Sequence, residues 1–210
     1  MPEPTLTPAE TAAIRERVVG LMPAVLDDLR ALTRIPSVSL GSFDQARVEE
    51  SAEVTARLLR AEGLEVEIVR EDGGRPAVIG RSEGPAGAPR VLLYAHHDVQ
   101  PPGDGADWDT PAFEPTRRGD RLFGRGCADD KAGILAHVAA LRAHGGRPPV
   151  GVTVFVEGEE IARRRRGGDR RGLRGERRHH QEGRYRSRQQ VGDQAGRVFQ
   201  PMAGLRIADH

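Results

Sequence analysis

The sequence predicts an α/β layered domain with a mostly parallel central sheet. Three observations predict it. Apolar residues recur at helical spacing through the first 62 residues, four short Val- and Ile-rich runs bounded by Gly or Pro follow, and a further helical repeat separates the last two runs.

The first helix begins at Thr7-Pro8-Ala9-Glu10. Thr7 suits the N-cap, Pro8 the first helical position, and Glu10 can bond back to the cap. Ile14, Val18, Leu21, Val25, Leu29 and Leu32 then recur at three- and four-residue steps. Pro23 is expected either to kink this helix or to start a second one, and Ile35-Pro36 closes it. A second helix fits Asp44 to Glu62, with Val48, Ala52, Thr55 and Leu59 on one face and Gly63 as C-terminal cap. The strand candidates are Leu64–Arg70, Ala77–Arg81, Val91–Ala95 and Val150–Val156. VLLYA and VTVFV are nearly continuous apolar runs, the pattern of central strands covered on both faces. Between them a helix from roughly Lys131 to Arg142 buries Ile134, Leu135, Val138 and Leu141.

The formal charge of +1 averages two unlike segments. Residues 1–160 carry 18 basic and 26 acidic side chains, a net of −8, whereas residues 161–210 carry 14 and 5, a net of +9. The second segment has only seven Leu, Ile, Val or Phe in 50 residues, too few for a core, so a disordered Arg/Gly-rich tail is expected. No run approaches the ~20 apolar residues of a membrane helix, and MPEPTLTPAE lacks the basic-then-apolar order of a signal peptide. The expectation is therefore a cytoplasmic protein with no membrane partner. A single Cys, Cys127, excludes an internal disulfide framework and any multi-Cys zinc site. Lys131 is the only Lys, and an Arg, Gly, Ala and Pro bias of this kind points to a GC-rich coding sequence.

Polar residues cluster where the two best strands end. VLLYA runs into His96-His97-Asp98, and VTVFV runs into Glu157-Gly158-Glu159-Glu160. Sites in parallel α/β sheets form at the carboxyl ends of strands, so these groups can converge although about 60 residues separate them. Asp129-Asp130 forms a third acidic group, between the turn Gly124-Arg125-Gly126 and the helix beginning near Lys131. Imidazole together with carboxylates suits zinc or manganese. In such a site His96 binds through one ring nitrogen while Asp98 receives the other N–H, and Asp129 is able to bridge two metals. A metal pair ~3.5–4 Å apart lowers the pKa of a shared water and stabilises the oxyanion formed at a carbonyl. One Glu of the pair acts as ligand and the other as general base.

Taken singly, each signal has a plainer explanation. An isolated HxD is more often a structural hydrogen-bonded pair, and EGEE a solvated acidic turn. His97 points away from His96 in an extended chain, which favours packing or solvent over metal. Cys127 reads as a small turn residue and Trp108 as a loop anchor. The ordered set carries the argument.

VLLYAHHDVQPPGDGADWDTPAFEP (91–115), RLFGRGCADDKAGILA (121–136) and VTVFVEGEE (152–160) together resemble metallopeptidase family 20 over roughly residues 20–160. This family includes carnosinase-like dipeptidases, carboxypeptidase G, acylamino-acid hydrolases and succinyl-diaminopimelate desuccinylase. The W-D-T-P-x-F-E-P segment is typical of its dipeptidase branch. The resemblance implies a truncated zinc-exopeptidase-like domain and two Zn²⁺ per full site, with Mn²⁺ or Co²⁺ as alternatives. It also implies a small peptide or acyl-amino-acid substrate, and leaves room for a homodimer of a full-length protein. His96 is then a zinc ligand, Asp98 orients it, Asp129 bridges the metals, and a cis peptide joins Asp129 to Asp130. The Glu pair is a base followed by a ligand. The family usually reads E-G-x-E-E, and this chain is one residue short. Counting back from Ile161 makes Glu159 the base and Glu160 the ligand; counting forward from Glu157 makes Glu160 the base. The first count is preferred because Ile cannot bind metal.

The family's later acidic ligand, second His ligand and inserted lid domain are not recognisable in residues 161–210. Asp169, Asp193, His179, His180 and His210 follow no strand-like run and are assigned no role. A frameshift at the Glu pair accounts for the missing Glu, the lost periodicity and the Arg/Gly excess together. The expectation is thus the N-terminal part of a catalytic domain over 1–160 and a frameshifted tail over 161–210, inactive as it stands. A nucleic-acid-binding role for the tail is disfavoured, because its one Tyr and one Phe lie far apart.

Overall fold

The computed structural model describes residues 7–71, 73–159 and the backbone of 206–208. Helix α1 spans Pro8–Thr33 and opens with the expected capping box: Glu10 N–H donates to Thr7 Oγ1 at 3.2 Å, and Thr7 N–H donates to Glu10 Oε2 at 2.8 Å. Pro23 lies inside this one helix and does not divide it. Helix α2 spans Ala46–Ala61, where Asp44 Oδ1 accepts the Ala46 N–H, and the chain leaves it through Gly63 at φ +81°, a conformation that favours glycine. Helix α3 spans Ala132–Ala143.

Four strands form the main sheet: β1 (Glu65–Val69), β2 (Ala77–Ser82), β3 (Arg90–His96) and β6 (Gly151–Glu157), in the order β1-β2-β6-β3. The sheet is mixed, which corrects the expectation of a mostly parallel one. β1 and β2 are joined by a short connection and pair antiparallel; β2 pairs antiparallel with β6; only β3 and β6, joined by the crossover that contains α3, run parallel. A smaller sheet pairs β4 (Thr116–Arg118) antiparallel with β5 (Arg121–Phe123), and β5 parallel with β7 (Arg206–Ala208). Those last three residues depart from the expectation of a wholly disordered tail. The boundary at 160 and the remainder of the tail lie outside the described residues.

The core joins the inner faces of the helices to the sheet. Val25, Leu29 and Leu32 of α1, Ala52, Ala56 and Leu59 of α2, and Ile134, Leu135 and Val138 of α3 meet Val78, Ala95, Val154 and Val156. Arg142 ties the three helices together, donating to Glu62 and to Asp28 at 2.7 Å each. β6 is the covered central strand that its apolar run implies. β3 is not: among the described residues it is an edge strand, with Val91 39%, Leu92 68% and Tyr94 48% exposed. An apolar run records that a strand is destined for cover without recording which strand supplies it. No helix among the described residues is long and apolar enough to cross a membrane.

Core and edge should respond differently to substitution. Leu32→Ala, at a fully buried position, is expected to cost about 2–5 kcal/mol. Leu92→Lys should change stability by no more than about 0.5 kcal/mol while reducing self-association. Urea unfolding and light scattering check both, and a large loss of stability in Leu92→Lys would show that β3 is covered in solution.

Candidate metal centre

The parallel pairing of β3 with β6 sets His96 opposite Glu157, and the His97 N–H donates to the Glu157 carbonyl at 2.8 Å. Both carboxyl ends therefore lie side by side, as the sequence implied. Glu157 is engaged with the sheet edge, its Oε2 accepting the Tyr94 hydroxyl at 2.9 Å.

His96 is 4% exposed and is held at both ring nitrogens. Nδ1 lies 2.9 Å from the Asp98 carbonyl and 3.4 Å from Asp98 Oδ1, so the orienting group is first the backbone of Asp98 and only then its carboxylate. Nε2 faces Asp129 Oδ1 at 3.0 Å. Burial alone disfavours the imidazolium, but hydrogen bonds donated to the Asp129 and Asp98 carboxylates outweigh it, and the His96 pKa is pushed up to about 10. Asp98 is buried, which opposes its charge, yet hydrogen bonds from His96 and Ser39 hold its carboxyl below the usual range. The Ser39 Oγ donates to Asp98 Oδ2 at 2.6 Å.

The segment after α1 supports this arrangement. Val38 pairs with Val99 in a parallel bridge, Val99 N–H donates to Ser37 O at 3.0 Å, and Ser37 Oγ donates to His97 O at 2.6 Å. Ser51 of α2 adds a second donor to the same carbonyl at 3.3 Å. None of these serines carries a sequence signal of its own: Ser37 follows Pro36, and Ser51 lies within α2. His97 is fully buried and packs inward. Its Nε2–H donates to Pro76 O at 2.9 Å, its Nδ1 has no hydrogen-bond partner, and burial pulls its pKa down to about 4.

Asp129 and Asp130 sit at a kink in the turn Cys127–Lys131, both with non-helical backbone angles, joined by a cis peptide bond. The turn has little room for side chains. A Cβ on Gly126, whose φ is +81°, would lie 2.4 Å from Val99 Cγ1, and one on Gly133 would lie 2.2 Å from Asp130 Oδ1. Asp130 faces inward, its Oδ2 accepting the His96 N–H at 3.2 Å, and burial raises its pKa. The Asp129 side chain is 60% exposed and is the open side of the pair. Cys127 is buried against Thr33, with Sγ 3.5 Å from Oγ1, as a small turn residue should be. Trp108 anchors its loop, donating Nε1–H to Pro102 O at 2.8 Å beneath the Arg125 guanidinium.

Of the five sequence-predicted residues, His96, Asp98 and Asp129 come together. Glu159 is described, with Oε2 3.4 Å from the Arg75 N–H. Glu160 lies outside the described residues. Among the described residues no three His, Cys, Asp or Glu side chains converge as a metal-binding group. The pair itself fits a shared ion. A nitrogen and an oxygen bound tetrahedrally to one zinc lie roughly 3.3–3.6 Å apart, so the 3.0 Å between His96 Nε2 and Asp129 Oδ1 needs only a small opening.

Comparison with known proteins bears on the same segments. The model for peptidase family M20/M25/M40 matches residues 92–192, which contain His96, Asp98, Asp129 and both Glu candidates. Residues 92–192 are therefore similar to peptidases of this family. It is 36% identical over 151 residues to a succinyl-diaminopimelate desuccinylase of Rhodopseudomonas palustris, a match covering 66% of this chain and 37% of that protein. It is 35% identical over 114 residues to a cysteinylglycine-S-conjugate dipeptidase of Corynebacterium striatum, covering 53% and 25% respectively. The chain also shares its fold with human carnosine dipeptidase 1, at a TM-score of 0.66 and 24% identity over 72% of this chain and 35% of that one. The chain thus spans between a quarter and little more than a third of the length of these relatives.

The pKa directions set a pH dependence for metal-free protein. A raised His96 pKa contributes stability that is complete below pH 6.5 and is lost as the pH climbs toward 10. His97 has the opposite sign, losing its contribution as the pH falls from 6.5 toward 4. In chelator-treated protein the melting temperature should fall between pH 6.5 and 10, and His96→Asn should flatten that fall. An unchanged slope in the variant would contradict the His96 arrangement.

Proposed function

We propose that the full-length protein hydrolyses a peptide or amide bond in a small substrate, most directly as a dipeptidase, through a dinuclear metal site. The observation that carries this reading is the buried His96 imidazole, oriented by Asp98 on one side and aimed at the open carboxylate of Asp129 on the other. The M20 match and the dipeptidase and desuccinylase relatives support the reaction class.

In this reading His96 Nε2, Asp129 and Glu160 would hold the metal, Zn²⁺ in the first instance. When bound, the ions would acidify a water and stabilise negative charge on the carbonyl oxygen under attack. Asp98 keeps the His96 Nδ1–H pinned so that Nε2 presents its lone pair outward. Glu159 takes a proton from the attacking water and delivers it to the leaving nitrogen. Because Nε2 carries a proton in the metal-free state, binding has to displace it. Zinc titrations in buffers of different ionisation enthalpy should therefore show roughly one proton released per ion, and zinc affinity should rise with pH above 6.5. Binding without proton release would count against His96 as the ligand.

We propose further that residues 161–210 are read out of frame, so that the 210-residue chain is an inactive fragment with roughly half a dinuclear site. The charge reversal and the loss of apolar periodicity after Glu160 support this, while the family match continuing to residue 192 counts on the other side. A nucleic-acid-binding tail is the weaker alternative, and salt-insensitive RNA binding would rule out its electrostatic basis. A cytoplasmic site of action fits the single, buried Cys127. Resequencing across the codons for Glu157–Arg166 tests the frame directly: another frame should encode apolar strands and further acidic and His ligands. A frame-restored protein should then cleave dipeptides in the presence of Zn²⁺ or Mn²⁺. Failure to cleave any peptide or acyl-amino acid would overturn the function.

A further inference from the structure

Lys131 is the single lysine among 32 basic residues, and it is fully buried. A buried ammonium is expensive unless its donors are met. Here Nζ donates to Leu32 O at 2.9 Å and to Ile35 O at 2.7 Å, carbonyls at and just beyond the last turn of α1. Helix-end carbonyls lack intrahelical partners and carry the negative end of the helix dipole, so a compact cation is well matched to them. The contact spans 99 and 96 residues of sequence. A guanidinium is a broad planar fork, whereas an ammonium is a point donor on a slim stem. Leu32 O also accepts the Ile35 N–H at 3.2 Å and Ile35 O the Ser37 N–H at 2.9 Å, so the ammonium adds a further donor to each carbonyl, and a chain that otherwise uses arginine throughout has lysine at that position.

The two segments that this amino group joins lie on opposite sides of His96. On one side, the chain leaving Ile35 presents Ser37 to the His97 carbonyl and Ser39 to the Asp98 carboxylate. On the other, Lys131 closes the turn that presents Asp129 to His96 Nε2, and its own N–H donates to Gly126 O at 3.1 Å. We propose that Lys131 is a positioning residue for the metal centre. Its amino group fixes the spacing between the Ser37–Ser39 segment that orients Asp98 and the turn that carries Asp129. The proposal rests on the metal-site reading only for its effect on zinc.

The test compares Lys131→Met, which keeps the unbranched stem and removes the donors, with Leu29→Ala, a core truncation in the same helix. Both are measured in the 210-residue chain at a temperature where they are fully folded. Peptides covering residues 37–39 and 96–99 should exchange backbone hydrogens on the order of tenfold faster in Lys131→Met than in Leu29→Ala. The zinc dissociation constant should also rise by on the order of tenfold in Lys131→Met alone, as expected when a group that orients ligands is lost. Equal exchange in the two variants would overturn the positioning role and leave Lys131 a packing group. A wild-type chain that binds no zinc would count against the metal reading, while the exchange comparison still decides on Lys131. If Lys131→Met does not fold, acetylation of the wild-type chain replaces it. Native protein should be modified at the α-amino group and protected at Lys131, and equal labelling rates at both amines would overturn the proposal.

Discussion

The parallel pairing of β3 with β6 is the constraint on which the rest depends. Seven residues, Arg90 to His96, lie in register with Gly151 to Glu157. The side-chain period of a strand is two, so a slip of one residue would turn His96 to the opposite face and separate it from Asp129. The register is held by what lies beneath it: Ala95, Val154 and Val156 are buried against the three helices, and a slip would expose them. Burial of ordinary apolar side chains thus fixes the position of a polar group that contributes nothing to the core itself.

Around His96 the structure keeps a buried charge tolerable by placing carboxylates on both sides of the imidazole. The imidazole lies between the backbone and carboxylate of Asp98 and the carboxylate of Asp129. Asp98 is in turn held by Ser39, and Asp130 accepts the His96 N–H. Next to this set stands His97, kept neutral by burial, which outweighs the opposing effect of its bond to Pro76. Two adjacent histidines therefore have pKa values pushed in opposite directions by environment alone, up to about 10 for His96 and down to about 4 for His97. Only the first is placed to exchange its proton for a metal ion.

Much of this was legible in the sequence, and the limits have physical causes. The Thr7 capping box, the four main strands and α3 are written in local patterns, and each appears within a residue or two of its expected bounds. Pairing direction is not local. The short link between β1 and β2 makes them antiparallel, which turns a mostly parallel expectation into a mixed sheet. Nor does VLLYA reveal that β3 is an edge strand among the described residues, since strand pairing is not a local property. Ser39 and Lys131 left no signal as supports because their partners lie 59 to 99 residues away. The fate of Glu160 and of the tail is a question for the nucleotide sequence.

The central claim is that His96 and Asp129 form one half of a metal centre. Nitrogen-15 NMR of the histidine rings during zinc titration tests it most directly. The account predicts that His96 Nε2 loses its proton and shifts with the first equivalent of zinc, while buried His97 keeps its Nε2–H bond to Pro76. An unchanged His96 signal, with zinc taken up by His179 and His180 of the Arg-rich tail, would contradict it.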